Sequence, residues 1–156
     1  MLLGTNEGDR EKNLSEAKEL IANEGGRIMK RSFVYETEAW GNEDQPLFYN
    51  CALLIETKKN ARELLDTVLN IEKKMGRVRN AKWEPRIIDI DILFFNEEII
   101  NEEGLRIPHP FIAERRFVLV PLNEISANAI HPVHKKKISE LLAQCSDPLE
   151  VKKVEV

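Results

Sequence analysis

Trp83-Glu84-Pro85-Arg86-Ile87-Ile88-Asp89-Ile90-Asp91-Ile92-Leu93-Phe94-Phe95 is the stretch on which the reading of this chain turns. From Arg86 onward β-branched and aromatic residues dominate, and Pro85 and Asn96 bound the run, which predicts a strand. Apolar residues occupy both faces, as expected of an inner strand: Ile88, Ile90, Ile92 and Phe94 on one, Ile87, Leu93 and Phe95 on the other. Asp89 and Asp91 interrupt this pattern. Strand side chains alternate, so the two carboxylates share a face, roughly 6.5–7 Å apart along the strand. On a buried face such a pair repels and resists desolvation unless positive charge neutralises it.

A bare Asp-x-Asp is more often a solvated pair at a sheet edge. Here Ile and Leu flank it, and Arg77, Arg79, Lys82 and Arg86 lie just upstream. Carboxylates hold hard divalent cations and arginines hold phosphate oxygens, so the combination points to metal–nucleotide chemistry.

The 156 residues suit one domain with a real core, and 42% apolar with 32% charged residues is a soluble composition. No apolar run is long enough to span a bilayer and there is no signal-peptide pattern, which sets the expectation of a cytoplasmic protein without membrane attachment. Cys51 and Cys145 read as small core residues rather than a disulfide or metal pair. A net charge of −4 argues against a general nucleic-acid binder. Positive charge is local instead: Lys73 to Arg86 carries Lys73, Lys74, Arg77, Arg79, Lys82 and Arg86 against Glu84 alone, which suggests a small polyanion as ligand.

Outward from that stretch, Met1–Leu3 is a stub of strand entering a Gly4–Asp9 turn, and Asp9 or the residues after it start a helix. Leu14, Ala17, Leu20 and Ile21 recur at helical spacing until Gly25-Gly26. Arg27–Tyr35 reads as one strand, 36–47 as a loop around Trp40, and Phe48–Glu56 as a strand. Asn60 with Glu63 resembles a capping box opening a helix to Gly76, with Leu64, Leu65, Val68, Leu69, Ile71 and Met75 on its apolar face. Glu72 falls in its last turn, where the helix dipole disfavours an acid. Ile99–Ile100 is a short strand, 105–110 is held extended by its prolines, Phe117–Ile125 contains helical turns, and Ile138–Cys145 is the last helix. The order β-α-β-β-α-β followed by a tail predicts an α+β fold. It is the ferredoxin-like split β-α-β sandwich with a C-terminal extension, with the first and third strands central and residues 1–156 as a single domain.

The motifs together resemble the bacterial hydroxymethyl-dihydropterin pyrophosphokinases of folate biosynthesis. The matching pieces are Leu3-Gly4-Thr5-Asn6 with Gly8-Asp9, Tyr35-x-Thr37, Trp40-Gly41, Asp44-Gln45-Pro46-x-Phe48-x-Asn50, Glu72 and Gly76-Arg77-x-Arg79. They continue with Trp83-x-Pro85-Arg86-x-x-Asp89-x-Asp91, Leu105-x-Ile107-Pro108-His109-Pro110, and Arg115-x-Phe117-Val118-Leu119-x-Pro121-Leu122. The resemblance implies transfer of the β,γ-pyrophosphate of ATP to the hydroxymethyl group of a reduced pterin, leaving AMP. It implies that Asp89 and Asp91 hold two magnesium ions and that Arg77 and Arg86 engage phosphates in catalysis. Glu72, Arg79, Ile92, His109 and Arg115 are implied as ATP contacts, and Thr37, Trp40, Phe48, Asn50, Trp83 and Phe117 as the pterin pocket. Small-molecule substrates and a monomer are the implied partners and state.

The chemistry of the residues agrees with these roles. A flat heteroaromatic with a donor–acceptor edge suits ring stacking and an amide such as Asn50. Phosphoryl chemistry needs positioning and charge neutralisation more than a protein nucleophile. The chain departs from the family in a short first strand, expected to lower stability, in Thr5 for serine, in Glu84 for glycine, and in Gly104 where some members have arginine. A two-metal hydrolase would want more acids and a base, for which Glu84 is the nearby candidate. An RNA-binding ferredoxin-like module would want exposed aromatics and net basic charge.

Overall fold

The computed structural model describes residues 1–41, 44–77 and 86–155. Its elements run β1 (Leu2–Thr5), α1 (Arg10–Leu20), β2 (Arg27–Arg31), β3 (Val34–Thr37), β4 (Phe48–Glu56) and α2 (Ala61–Lys74), then β5 (Asp89–Asp91), β6 (Ile100–Glu102), β7 (Leu105–Ile107), α3 (Arg116–Ser126), α4 (Ile138–Gln144) and β8 (Val151–Val154). The main sheet has the order β5-β1-β4-β3-β8, with β2 also paired to β4, and each of these pairings is antiparallel. The first strand and Phe48–Glu56 are thus both inside the sheet, as expected. β6 and β7 form a separate hairpin, turning at Gly104, whose φ of +74° favours glycine over any residue with a side chain.

Local chemistry sets the helix starts. Asp9 caps α1 by accepting the Lys12 N–H at 3.1 Å, and α1 passes into a π-helical turn over Ile21–Gly25. Asn60 and Glu63 exchange side chain-to-backbone bonds of 2.9 and 3.0 Å, completing the capping box of α2. Asp147 Oδ2 accepts the Arg116 N–H that opens α3, at 3.0 Å. Among the described residues no helix is long and apolar enough to cross a membrane.

The sheet divides two cores. On one face Leu3, Cys51, Leu53 and Ile90 pack with Leu14, Ala17, Leu64, Val68 and Ile71 of α1 and α2. On the other, Leu2 and Ala52 pack with Val118, Leu119, Leu122, Ile138 and Leu141 of α3 and α4. Each fully buried Leu, Ile or Val among them contributes about 1.5–3 kcal/mol. Cys51 is buried, Cys145 is half-buried, and both are free thiols.

Four expectations are corrected. The aspartate strand is three residues long rather than the whole run from Arg86 to Phe95, and it pairs with Leu2–Gly4 of β1. Among the described residues β5 is also not an inner strand: it ends the sheet, and the carboxylate of Glu72 takes the outward N–H of Ile90 at 2.7 Å where another strand would pair. The pleat stops at Ile92, so Phe94 joins Leu93 on the α3–α4 side and Phe95 joins the α1–α2 side, the reverse of strict alternation. Arg27–Tyr35 is two strands. Ser32 breaks it, its Oγ accepting the Ala52 N–H at 2.9 Å and donating to Phe33 O at 2.7 Å. The Phe33 N–H then turns to the Glu124 carboxylate, at 3.0 Å. β8, which was not expected as a strand, pairs with β3.

Candidate active site

Residues directly opposite across a sheet share a face. Gly4 pairs with Asn50 on one side and Asp89 on the other, and Leu2 pairs with Ala52 and Asp91. The face carrying Asp89 and Asp91 is therefore the one under α3 and α4. Leu2 and Ala52 are covered there, but the row Asp89–Gly4–Asn50 is left open because Gly4 has no side chain to fill it. A Cβ on Gly4 would lie 3.0 Å from Asn50 Oδ1 and 3.6 Å from the Phe48 ring.

Over this bare floor lies a cleft of about 600 Å³, including the part open to solvent. Asp89, Asp91 and Arg86 form one end of its lining, and Thr37, Phe48 and Asn50 come from the other side of Gly4. Trp40, Arg115 and Phe117 complete the set of expected residues that line it. Leu2, Gly4, Glu38, Ala39 and Gln45 also line it, without having been singled out as site residues. Gly4 and Gln45 belong to sequence motifs, but a missing side chain and a loop amide carry no chemical signal of their own.

Glu72, Arg77, Ile92 and His109 do not line the cleft. Glu72 and Arg77 lie beside the outer edge of β5. Arg77 Nη1 is 2.7 Å from Glu72 Oε2 and 2.6 Å from Asp89 Oδ1, with the side chains of Arg77 and Glu72 only 7% and 2% exposed. Arg86 Nη1 reaches Asp89 Oδ2 at 2.9 Å. This network answers the poor helix position of Glu72, since an arginine and a strand N–H replace the water lost on burial. Burial alone would lower the Arg77 pKa, but Asp89 and Glu72 outweigh it and push it up. Ile92 is in the α1–α2 core. His109 follows β7, its N–H donating to Leu93 O at 2.9 Å. Arg79 and Trp83 lie outside the described residues.

Asp91 differs from Asp89. Among the described residues it makes no ion pair or hydrogen bond. Burial, then Asp89 and Glu72, push its pKa up to about 7, against the pull of Arg115 and Arg77. Arg115 stands over three rings, with its guanidinium carbon 4.7 Å from the Trp40 centroid, 4.8 Å from Phe111 and 5.7 Å from Phe117. Its Nε is buried and makes no hydrogen bond among the described residues, and burial lowers its pKa despite Asp91 and Asp89. His109 is held down at about 4 by burial and then by Arg115, so its ring is neutral at pH 7. Its Nδ1 accepts the Phe111 N–H at 3.3 Å, which leaves Nε2 as the ring donor. Asn50 Nδ2 donates to Thr37 Oγ1 at 2.8 Å, which leaves the Thr37 hydroxyl proton and the Asn50 carbonyl oxygen for other partners.

An acid pair, arginines and an aromatic-lined amide thus meet in one cleft. Residues 1–127 match the family model of 7,8-dihydro-6-hydroxymethylpterin-pyrophosphokinase (HPPK). The chain belongs to this family. Among relatives of the HPPK family, the 2-amino-4-hydroxy-6-hydroxymethyldihydropteridine pyrophosphokinase of Aquifex aeolicus is 44% identical over 138 residues, covering 88% of this chain and 86% of the relative. The enzyme of the same name from Methylorubrum extorquens is 42% identical over 154 residues, covering 98% and 96%. The crystal structure of wild-type Plasmodium falciparum HPPK-DHPS with pterin and p-hydroxybenzoate superimposes with a TM-score of 0.73 at 20% identity. That match covers 92% of this chain and 40% of the larger one, and it shows a shared fold.

Proposed function

We propose that the cleft transfers the β,γ-pyrophosphate of ATP to the hydroxymethyl group of 6-hydroxymethyl-7,8-dihydropterin, releasing AMP. The observation that carries this reading is the row Asp89–Gly4–Asn50, which sets phosphate-handling and ring-recognising groups on one floor. The membership of the chain in the pyrophosphokinase family supports it.

On the pterin side, Trp40, Phe48 and Phe117 stack the ring, and the free Thr37 proton and Asn50 oxygen take its donor–acceptor edge. Trp83 belongs to the same pocket in this reading. On the nucleotide side, Arg86 and Arg115 supply cationic donors to the phosphates, and His109 offers a neutral Nε2–H donor. Arg79 belongs to the ATP subsite in this reading. Glu72 and Ile92, which do not line the cleft, support it indirectly, Glu72 by holding Arg77 and the Ile90 N–H and Ile92 by anchoring the end of the aspartate strand in the core. Arg77 acts in catalysis by fixing Asp89 from the outer edge of β5, through a partly buried ion pair.

Asp89 and Asp91 fit magnesium. They are hard oxygen donors, magnesium commonly takes one or two carboxylates plus substrate phosphates, and the half-buried Asp91 carboxylate, which lines the cleft, has no other partner among the described residues. Two magnesium ions bound there would neutralise charge along the phosphate chain. The residues of the chain then orient the pterin hydroxyl toward the β-phosphorus and exclude water from it.

The strand order β5-β1-β4-β3 supports the ferredoxin-like plan, with β8 as the C-terminal extension and residues 1–156 as one pyrophosphokinase domain. A monomer in the cytoplasm, acting on small molecules without nucleic acid or membrane, fits the acidic composition. The test is Asp89→Asn and Asp91→Asn, each keeping side-chain shape while removing charge. Turnover should fall by about two orders of magnitude or more with the circular dichroism spectrum unchanged, as for loss of a major charge-stabilising contact. Near-normal turnover in both variants at ordinary magnesium would refute the reading.

A further inference from the structure

Two segments meet at the cleft: the basic segment where it ends at Arg86, and the Trp40 loop in its described parts, residues 38–41 and 44–47. One side chain that does not line the cleft joins them. Asn6 follows β1 and is 2% exposed. Its N–H donates to Arg86 O at 3.0 Å, and its Oδ1 accepts the Arg86 N–H at 2.7 Å. Its Nδ2 donates to Gln45 Oε1 at 3.1 Å and to Pro46 O at 3.0 Å. A carboxamide offers two protons and one carbonyl oxygen, so both ends of this one are engaged, and on different segments. An asparagine that serves only its own turn bonds to neighbouring backbone. Asn6 instead reaches 39 to 80 residues along the chain. The turn itself is held by Asn13, whose Nδ2 donates to Glu7 O at 2.7 Å and Thr5 Oγ1 at 3.1 Å. Arg86 in turn carries its guanidinium to Asp89, and Gln45 shares the cleft lining with Trp40.

We propose that Asn6 is a positioning residue that couples the two halves of the cleft. Seating a pterin against the Trp40 loop fixes the Arg86 backbone, and seating a triphosphate on Arg86 fixes the loop, so each substrate tightens the other. The inference rests on the assignment of the cleft to ATP and a reduced pterin. Such coupling is reciprocal, so either ligand can report it.

The experiment titrates α,β-methylene ATP with magnesium by calorimetry, with and without saturating 6-hydroxymethyl-7,8-dihydropterin. In the wild type the pterin should tighten the nucleotide about tenfold, within the usual range for coupled sites. Asn6→Asp keeps an oxygen for the Arg86 N–H and removes both donors to Gln45 and Pro46. Its coupling factor should fall to within about twofold of one, while each ligand alone binds within about threefold of wild type. Gln45→Ala, which removes one of the two loop bonds, should give an intermediate factor. Wild-type coupling in Asn6→Asp would overturn the proposal, as would equal weakening of both single-ligand affinities together with the ternary one, the mark of a purely structural residue. If the wild type binds neither ligand, the cleft assignment itself fails, and amide exchange then decides the clip. Asn6→Asp must speed exchange across residues 44–47 and leave the Arg86 amide protected; equal exchange in both proteins would overturn it.

Discussion

Replacing Arg77 by Met tests how β5 is held. Arg77 Nη1 makes charge-assisted contacts of 2.7 Å to Glu72 and 2.6 Å to Asp89 in a site where Arg77 and Glu72 are almost fully covered. Hydrogen bonds to charged groups contribute about 1.5–3 kcal/mol each, and removing one partner of a buried ion pair costs about 3–5 kcal/mol. Asp89 is 19% exposed and keeps Arg86 at 2.9 Å, so the loss falls mainly on Glu72. That places Arg77→Met near the lower end, about 3 kcal/mol. For a chain of this size 1 kcal/mol shifts the melting temperature by about 2–4 °C, so the drop is about 6–12 °C. Urea unfolding followed by far-ultraviolet circular dichroism measures it, with Glu72→Gln and the double variant closing a cycle. Neutralising Glu72 as well should recover about 1 kcal/mol or more of the loss, because the uncompensated buried charge is gone. A single variant within about 1 kcal/mol of wild type, or a double variant less stable than the sum of the two, would show that this network does not hold the strand.

Gly4→Ala places a methyl group 3.0 Å from Asn50 Oδ1 and 3.6 Å from the Phe48 ring. It should raise the KM for the pterin about tenfold or more and leave the KM for ATP within about twofold, in line with roughly 1–3 kcal/mol for an overpacked site; steady-state kinetics with each substrate varied would reveal the contrary. His131 is 4% exposed, and its Nδ1 accepts the Val133 and His134 N–H groups at 3.1 Å each. Burial, then His134, hold its pKa down at about 4, below the unfolded value near 6.5, so the fold binds the neutral ring. Its contribution is complete above about pH 6.5 and is lost as pH falls toward 4. His131→Asn should lose less stability than wild type between pH 6.5 and 4 in urea titrations, and parallel losses would refute this.

The carboxylate pair was legible because alternation alone puts Asp89 and Asp91 on one face, and the three-residue strand is long enough to keep that relation. The α2 start was legible because its cap is local. What was hidden depends on partners far along the chain. Nothing near Arg77 says that its side chain turns inward to Glu72 and Asp89 rather than out toward phosphate. Ser32 looks like any polar strand residue until Ala52 is beside it. Val151–Val154 has too short an apolar pattern to announce a strand, and it forms one because β3 offers an open edge. Gly4 reads as a turn residue in sequence and becomes the cleft floor only when β4 and β5 flank it.

The central claim is which phosphorus is attacked. The most direct measurement is chromatography of nucleotides and pterins after a single turnover with magnesium, ATP and 6-hydroxymethyl-7,8-dihydropterin. AMP should appear in step with the pterin diphosphate, and none should form without pterin. ADP appearing with a pterin monophosphate would contradict the account.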